Sequence, residues 1–165
     1  MNAKRNKRIL AIDPGTKYIG FAAFNGRMLA HYGVATILRR GSSGETLAKG
    51  RKIIGQLMDD FHPRLLVVEK TMFVNIRGSV TLNKFTEQIL RMGRSRRIKI
   101  RVLSANTVRK EICGNGTAGK QDVAKKLVEL FPELKPYLCS DKRYKEDFFY
   151  NIFDAVALGL ASSRI

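Results

Sequence analysis

The stretch RILAIDPGTKYIGF, from Arg8 to Phe21, decides how this chain folds. A short apolar run, Ile9 to Ile12, ends in the carboxylate of Asp13. A Pro14-Gly15 turn follows, and a second apolar run begins at Tyr18. The pattern reads as a strand, a tight turn and an antiparallel second strand, with Asp13 held where the first strand ends. A carboxylate in that place is either a metal ligand or part of a phosphate-binding turn.

Outward from this pair, strands are predicted over 8–13, 17–24 and 27–37, the last two joined at Asn25-Gly26, a strong short-hairpin signal. Gly41 to Gly44 break the pattern. Ser42 and Glu45 have the spacing of a capping box and open a helix over 44–61, with Leu47, Ile53, Ile54, Leu57, Met58 and Phe61 at helical period. After Pro63, LLVVE (65–69) is a continuous apolar run, the mark of a central strand covered on both faces, and it ends in a second carboxylate, Glu69. A helix over 79–92, a strand over 98–104 and a short helix near 105–112 follow. The loop GNGTAGK (114–120) comes next, then a helix over 120–131, a loop bounded by Pro132 and Pro136, and a last helix over 145–162. Residues 1–7 read as a flexible basic arm. A three-strand antiparallel meander, then strands alternating with helices, predicts a single α/β domain over 1–165. Its sheet would be five-stranded and mixed, the meander plus two parallel strands, with helices on its faces.

Lys and Arg number 31 against 14 Asp and Glu, a formal net charge of +17, while hydrophobic residues make up 44% of the chain. That composition excludes disorder and points to a folded domain that meets a polyanion, nucleic acid above all. A membrane surface is not supported, because no amphipathic Lys-rich helix with an aromatic face is present. No run has the length of a membrane-spanning helix, and the basic start MNAKRNKR leads into a strand and not a signal-peptide core. Cys113 and Cys139 lack any Cys-x-x-Cys or Cys/His spacing, which fits a reducing, intracellular setting.

Asp13 and Glu69 end two central strands, and strands that end side by side deliver their last residues into the crevice where ligands bind. Two acids there repel unless a cation lies between them. The last helix is apolar nearly all round, with Phe148, Phe149, Ile152, Phe153, Val156, Leu158 and Leu160, so it should be buried. Asp147, Asn151 and Asp154 share one of its faces at i, i+4 and i+7. Asp147 there is either functional or an N-terminal charge favoured by the helix dipole. Asp154 is either a metal ligand or the partner of an arginine. Asp13, Glu69 and Asp154, completed by Asn151 or Asp147, would make an all-oxygen cluster suited to Mg²⁺ or Mn²⁺. Two such ions about 4 Å apart are the arrangement for in-line attack of water on a phosphodiester.

Four pieces together resemble the RuvC family of Holliday-junction resolvases, which have an RNase H-like fold: IDPGTKYIG (12–20), VVEKTMF (67–73), SANTVRKEICGNGTAGK (104–120) and NIFDAVALGLA (151–161). Their order and spacing cover nearly the whole chain. The resemblance implies a Mg²⁺-dependent endodeoxyribonuclease (Mn²⁺ substituting), with two ions per site, that cuts four-way junction DNA on two opposing strands. It places the family's catalytic acids on Asp13, Glu69 and Asp154. The fourth position, an acid or histidine in the family, falls on Asn151, so Asn151 ligates through its carbonyl oxygen, Asp147 substitutes, or activity is weak. Lys120 matches the basic residue that pairs with the scissile phosphate or leaving group, with the backbone NH groups of Gly116 to Gly119 assisting, and Arg109 matches a phosphate contact. The literal G-x-G-x-x-G of Gly114, Gly116 and Gly119 follows no βαβ first strand and is weak as a dinucleotide signal. The family's junction wedge falls on Met72, with Phe73 beside it. Asn75, Arg77 and Lys84 would flank the DNA. Six of the eleven residues from Arg91 to Arg101 are basic, and Arg94, Arg96 and Arg97 are its densest part, a phosphate-tracking surface or a solvated loop. The helix over 79–92 matches the region through which family members form homodimers. A branch-migration motor is a further possible partner, and the expected location is cytoplasmic and nucleoid-associated in a bacterium, with organelle or virus as other sources.

Three other readings compete. A YqgF-like nuclease of RNase H fold acting on RNA shares the Asp-x-Gly-Thr turn but not the Lys120 loop. A kinase or actin-like fold needs a duplicated domain that 165 residues cannot hold. A junction-binding protein that has lost catalysis is suggested by Asn151.

Overall fold

Strand β1 (Arg8–Asp13) is the axis of a five-stranded sheet, paired antiparallel with β2 (Tyr18–Asn25) on one side and parallel with β4 (Leu65–Glu69) on the other. β3 (Met28–Thr36) closes the meander and β5 (Lys99–Leu103) runs parallel to β4, giving the order β3-β2-β1-β4-β5. The computed structural model describes residues 7–38, 41–71, 77–138 and 143–165, with backbone alone at 77–79 and 143–146. Helices α1 (Ser43–Phe61), α2 (Arg77–Ser95), α3 (Ala105–Cys113), α4 (Lys120–Leu130), α5 (Lys135–Leu138) and α6 (Arg143–Arg164) flank the sheet.

The alternation of side chains along a strand explains the two cores. Ile9 and Ala11 of β1 and Leu65 and Val67 of β4 face α3, α4 and α6. Leu10, Ile12, Leu66 and Val68 face α1 and α2. Both central strands are therefore buried on both sides, as their unbroken apolar runs require. The same alternation carries past the last apolar residue: Asp13 continues the Ile9–Ala11 row and Glu69 the Leu65–Val67 row, so both acids emerge on the α6 side of the sheet.

Local chemistry sets the boundaries. Ser42 caps α1 by accepting from the Glu45 amide at 3.3 Å, and His62, in the left-handed region at φ 45°, ends it. Gly26 and Arg27 form the two-residue turn between β2 and β3, one residue later than the predicted Asn25-Gly26 joint, because Asn25 still pairs with Met28. β5 stops at Leu103 because Ser104 is the N-cap of α3, accepting from the Thr107 amide at 3.2 Å. The predicted loop from Pro132 to Pro136 is instead a 3-10 turn (Pro132–Leu134) running into α5. Proline is tolerated in the first turn of a helix, and the fully buried Leu134 anchors the segment to the core.

Two glycines permit close approaches at the end of the sheet that carries Asp13. A Cβ at Gly15 would lie 2.1 Å from the Tyr18 carbonyl oxygen, so only glycine lets the turn after Asp13 close this tightly. A Cβ at Gly20 would lie 2.2 Å from the Asn151 carbonyl oxygen. Gly20 is the cross-strand partner of Asp13, so this close approach sets α6 directly against the strand pair that carries the first acid. Among the described residues no helix is long and apolar enough to cross a membrane.

Candidate active site

Asp13 from β1, Glu69 from β4 and Asp154 from α6 meet at the end of the sheet where the parallel strands finish. Their charges bear on one another, and Lys120 and Arg109 are the cations that bear on them. Glu69, Arg109, Lys120 and Asp154 line one small cavity of about 100 Å³, floored by Val108, Val123, Ala157 and Leu158.

Burial is the largest force on each acid. It holds Asp13 well above the ordinary carboxylate range, reinforced by the negative charges of Asp154 and Glu69 and by a hydrogen bond to Glu69, with Lys120 opposing. Burial and the charge of Asp154 also raise Glu69, against the hydrogen bond from Asp13 and the charges of Lys120 and Arg109. The two carboxyls lie close enough to act on each other directly, and burial is the force that raises both. Burial raises Asp154 as well, and Lys120 and then Arg109 hold it down.

Lys120 is the first residue of α4, and its Nζ lies 3.4 Å from Asp154 Oδ2. The same ammonium stands 5.7 Å from the centroid of the Tyr150 ring, within cation–π range. Tyr150 was not singled out from the sequence, although it lies four residues before Asp154 and hence one helical turn along the same side.

The Gly-rich loop differs from expectation. The Thr117 amide donates to Asn115 Oδ1 at 3.0 Å, the Ala118 amide to the Asn115 carbonyl at 3.2 Å, and the Gly119 amide to Asp122 Oδ2 at 3.0 Å. Three of the four NH groups expected to assist at a phosphate are thus already satisfied inside the loop, and the Asp122 carboxylate adds a negative charge at the α4 N-terminus. The loop positions Lys120; its backbone is not an anion cradle.

Asn151 lies against Gly20, and its Nδ2 donates to the Asp147 carbonyl at 2.7 Å and the Phe148 carbonyl at 3.2 Å. Its amide nitrogen is tied to its own helix, which leaves Oδ1 as the free donor atom. Asp147 is exposed and is not among the charges acting on the three acids. It stands about 10 Å along the helix from Asp154 at 1.5 Å per residue.

Of the residues expected to touch DNA, Arg109 and Lys120 are in the site. Lys84 is exposed on α2 and lines a groove of about 760 Å³ with Lys70, Thr71 and Arg91. Arg77 begins α2, and Met72, Phe73 and Asn75 lie outside the described residues. Arg94, Arg96 and Arg97 are not brought to the site. They lie at the C-terminal end of α2, by the start of β5 and so at the opposite end of the sheet from the acids, with Arg94 paired to Glu87 at 3.7 Å and Arg96 to Asp59 at 3.3 Å.

Three carboxylates fit a hard divalent cation, and Asn151, about one helical turn before Asp154, could add an amide oxygen. Among the described residues, however, no group of three or more His, Cys, Asp or Glu side chains is already arranged to hold one. The Lys120 ammonium on Asp154 and the charge of Arg109 offset part of the negative charge of the three acids.

Comparison with known proteins bears on the fold and its kin. The family model described as crossover junction endodeoxyribonuclease RuvC matches residues 9–142. The chain is 27% identical over 158 residues to the crossover junction endodeoxyribonuclease RuvC of Akkermansia muciniphila, covering 93% of this chain and 88% of that one. It is 32% identical over 143 residues to the protein of the same description from Methylobacillus flagellatus, covering 74% and 76%. The solved structure of Thermus thermophilus RuvC in complex with a Holliday junction substrate superposes with a TM-score of 0.72 at 17% identity, over 94% of this chain and 92% of that one. The five-stranded RNase H-like sheet read from the sequence is the fold observed.

Proposed function

Because the chain belongs to the RuvC family of crossover junction endodeoxyribonucleases, we propose that it resolves four-way (Holliday) DNA junctions by hydrolysing a phosphodiester on each of two opposing strands. The carrying observation is the convergence of Asp13, Glu69 and Asp154, from three separate elements, with Lys120 and Arg109 beside them in a chain of net charge +17. The whole chain acts as one nuclease domain.

Asp13, Glu69 and Asp154, with Asn151 through Oδ1, are the residues that would hold Mg²⁺ or Mn²⁺, a pair of ions supplying an activated water and charge stabilisation at the leaving 3′-oxygen. The chain's own part begins with charge. Because burial raises all three carboxyls, a cation must displace the protons they hold, and Lys120 must swing off Asp154, before the carboxylates can turn all their oxygens to it. Lys120, more than half exposed at its side chain, is free to make that movement toward the leaving oxygen. Arg109 stays beside Glu69 and neutralises a phosphate. Lys84 and Arg77 follow the duplex away from the cut, Asn75 flanks it, and Met72 or Phe73 opens the junction centre.

A homodimer through α2 supplies the second cut. What supports it is the groove along α2: Asn83 Oδ1 and Gln88 Oε1 are buried on its wall without a hydrogen-bond partner among the described residues, and the large side chains of Val80 and Val102 are exposed. Buried acceptors left unpaired are costly, and a second copy would both pair them and cover the apolar edge.

The test is strand scission of a four-way DNA junction with Mg²⁺ and with Mn²⁺, beside a structured RNA. Cleavage of the junction at symmetric positions, lost in Asp13→Asn while binding persists, is the expected result. Preferential RNA cleavage, or binding with no cleavage in either metal, would refute it. The latter reading, a binder without catalysis, is favoured by one observation only, the neutral Asn151 tied to its own helix.

A further inference from the structure

The end of the sheet opposite the acids carries a basic row that the cleavage site does not use. Here β1, β4 and β5 begin, and the Gly26-Arg27 turn joins β2 to β3. The backbone links them in order: the Gly26 amide donates to the Lys7 carbonyl at 3.1 Å, that of Arg64 to Arg8 at 2.9 Å, and that of Lys99 to Arg64 at 3.2 Å. Lys7, Arg8, Arg27, Arg64, Arg97 and Lys99 are all exposed. Among the described residues none of the six makes an ion pair, whereas the neighbouring Arg96 pairs with Asp59. The acids near this end are Asp59, so paired, and Asp60, which accepts from Gln56 at 2.8 Å.

Adjacent strands lie about 4.8 Å apart, so the four columns from Arg27 to Lys99 span about 14 Å. That length faces about four phosphates of one DNA strand at 3.4 Å of axis per charge. Along β1, the five steps from Arg8 to Asp13 put the row about 17 Å from the first acid. One duplex lying on the acids cannot reach it without wrapping the domain. We propose that this base is a second nucleic-acid surface, gripping the sugar-phosphate backbone of a duplex separate from the strand being cut. The inference rests on the reading of the acid end as the junction-cutting face.

A protein partner fits the base less well. Specific protein interfaces have an apolar, fully buried centre. Among the exposed large apolar side chains, Met28 is the one carried by the strand ends that form this row. Evenly spaced, unpaired cations with no apolar centre match a uniform line of negative charge, read without regard to sequence.

The test immobilises an unlabelled four-way junction, loads the protein in EDTA, and adds a fluorescein-labelled 20-base-pair blunt duplex. Wild-type protein on the junction should capture the duplex. The Arg8→Gln/Arg64→Gln/Lys99→Gln variant should hold the junction within about twofold of wild type and capture at least about tenfold less duplex. In free solution its log–log salt slope for the duplex should be smaller by about 2.7, three contacts at 0.9 each. A thermal midpoint equal to wild type establishes that the variant is folded. Equal capture by the variant, an unchanged salt slope, or competition by polyglutamate equal to that of unlabelled duplex at matched charge would each overturn the proposal. Failure of the wild type to hold the junction at all would instead refute the reading of the acid end, and the free-solution slopes would still decide the base.

Discussion

Replacing Asp13 with asparagine should abolish cleavage and, in EDTA at neutral pH, make the protein more stable. Asp13 is pressed above the usual carboxylate range by burial, then by the charges of Asp154 and Glu69. Asparagine removes the ionisable group and keeps a polar side chain beside Glu69, whose carboxylate its Nδ2 can donate to. Poorly compensated buried polar groups cost about 1–3 kcal/mol in protein mutants. At roughly 3 °C per kcal/mol for a chain of this size, the midpoint should rise by about 3–9 °C. The sign with pH comes from the direction of the shift. An acid whose folded-state pKa is raised contributes stability that is complete below its unfolded value and is lost as pH climbs through the folded one. The advantage of Asp13→Asn should therefore be absent near pH 4 and open as pH rises. Divalent metal should act the other way, because Asp13→Asn removes one of the carboxylates proposed to hold it. At ten times its Kd an ion adds about 1.4 kcal/mol, enough to narrow or close the gap. Thermal melts of both proteins from acid to neutral pH, in EDTA and in excess Mg²⁺, give the measurement. A variant no more stable than wild type at neutral pH in EDTA, or a gap that does not change with pH, would refute the reading of Asp13 as an acid strained by burial and by its charged neighbours.

Other substitutions separate the parts of the site. Lys120→Met removes the ammonium 3.4 Å from Asp154 and should slow single-turnover cleavage by about 10²–10³ while junction affinity stays within about threefold. Because Lys120 holds Asp154 down, its loss should also move the acidic limb of the rate–pH profile to higher pH. Tyr150→Leu should cost about two- to fivefold in the same rate, the worth of an exposed cation–π contact, whereas Tyr150→Phe keeps the ring and should stay within twofold. Asn151→Asp should keep or raise cleavage at low Mg²⁺ and lower the half-saturating concentration in a metal titration, but lower the midpoint in EDTA by adding an anion beside Asp13. Gly20→Ala places a Cβ 2.2 Å from the Asn151 carbonyl oxygen, so α6 must retreat; a loss of about 1–3 kcal/mol in denaturant melts should come with reduced cleavage.

Physical range decides which features are legible in the sequence. The apolar runs of Ile9–Ile12 and LLVVE carry their own evidence of two-sided burial, and two-residue alternation then sends Asp13 and Glu69 to one face without any need of long-range information. The polar stripe of Asn151 and Asp154 on an apolar helix was legible for the same reason. Side-chain hydrogen bonds inside the GNGTAGK loop were not, because they depend on where Asn115 and Asp122 point, and those rotamers are chosen by the folded loop. The one-turn α5 was hidden by its prolines, which suit a first helical turn as well as a loop. The place of Arg94, Arg96 and Arg97 was within reach: a helix that leaves the end of β4 and returns to the start of the parallel β5 must finish at the far end of the sheet. Local charge density marks a phosphate-tracking surface or a solvated loop without saying where it lies; connectivity puts it at the far end.

The asparagine at 151 makes sense in the charge balance. With Asp154 already raising both Asp13 and Glu69, and Glu69 raising Asp13 further, a fourth acid would add repulsion to every metal-free molecule. Asn151 avoids that penalty. Its nitrogen is bound to the carbonyls of Asp147 and Phe148, so the side chain is fixed at no electrostatic expense. Fixing the nitrogen also leaves Oδ1 to serve, in the proposed site, as a neutral ligand that would add coordination without adding charge. In the proposed metal site a neutral ligand would lower metal affinity, and phosphate drawn in by the basic chain would supply oxygens of its own to the cation. A site with one fewer negative charge should then fill with metal most readily when DNA is bound, so that metal affinity and junction affinity rise together in the wild type and are less coupled in Asn151→Asp.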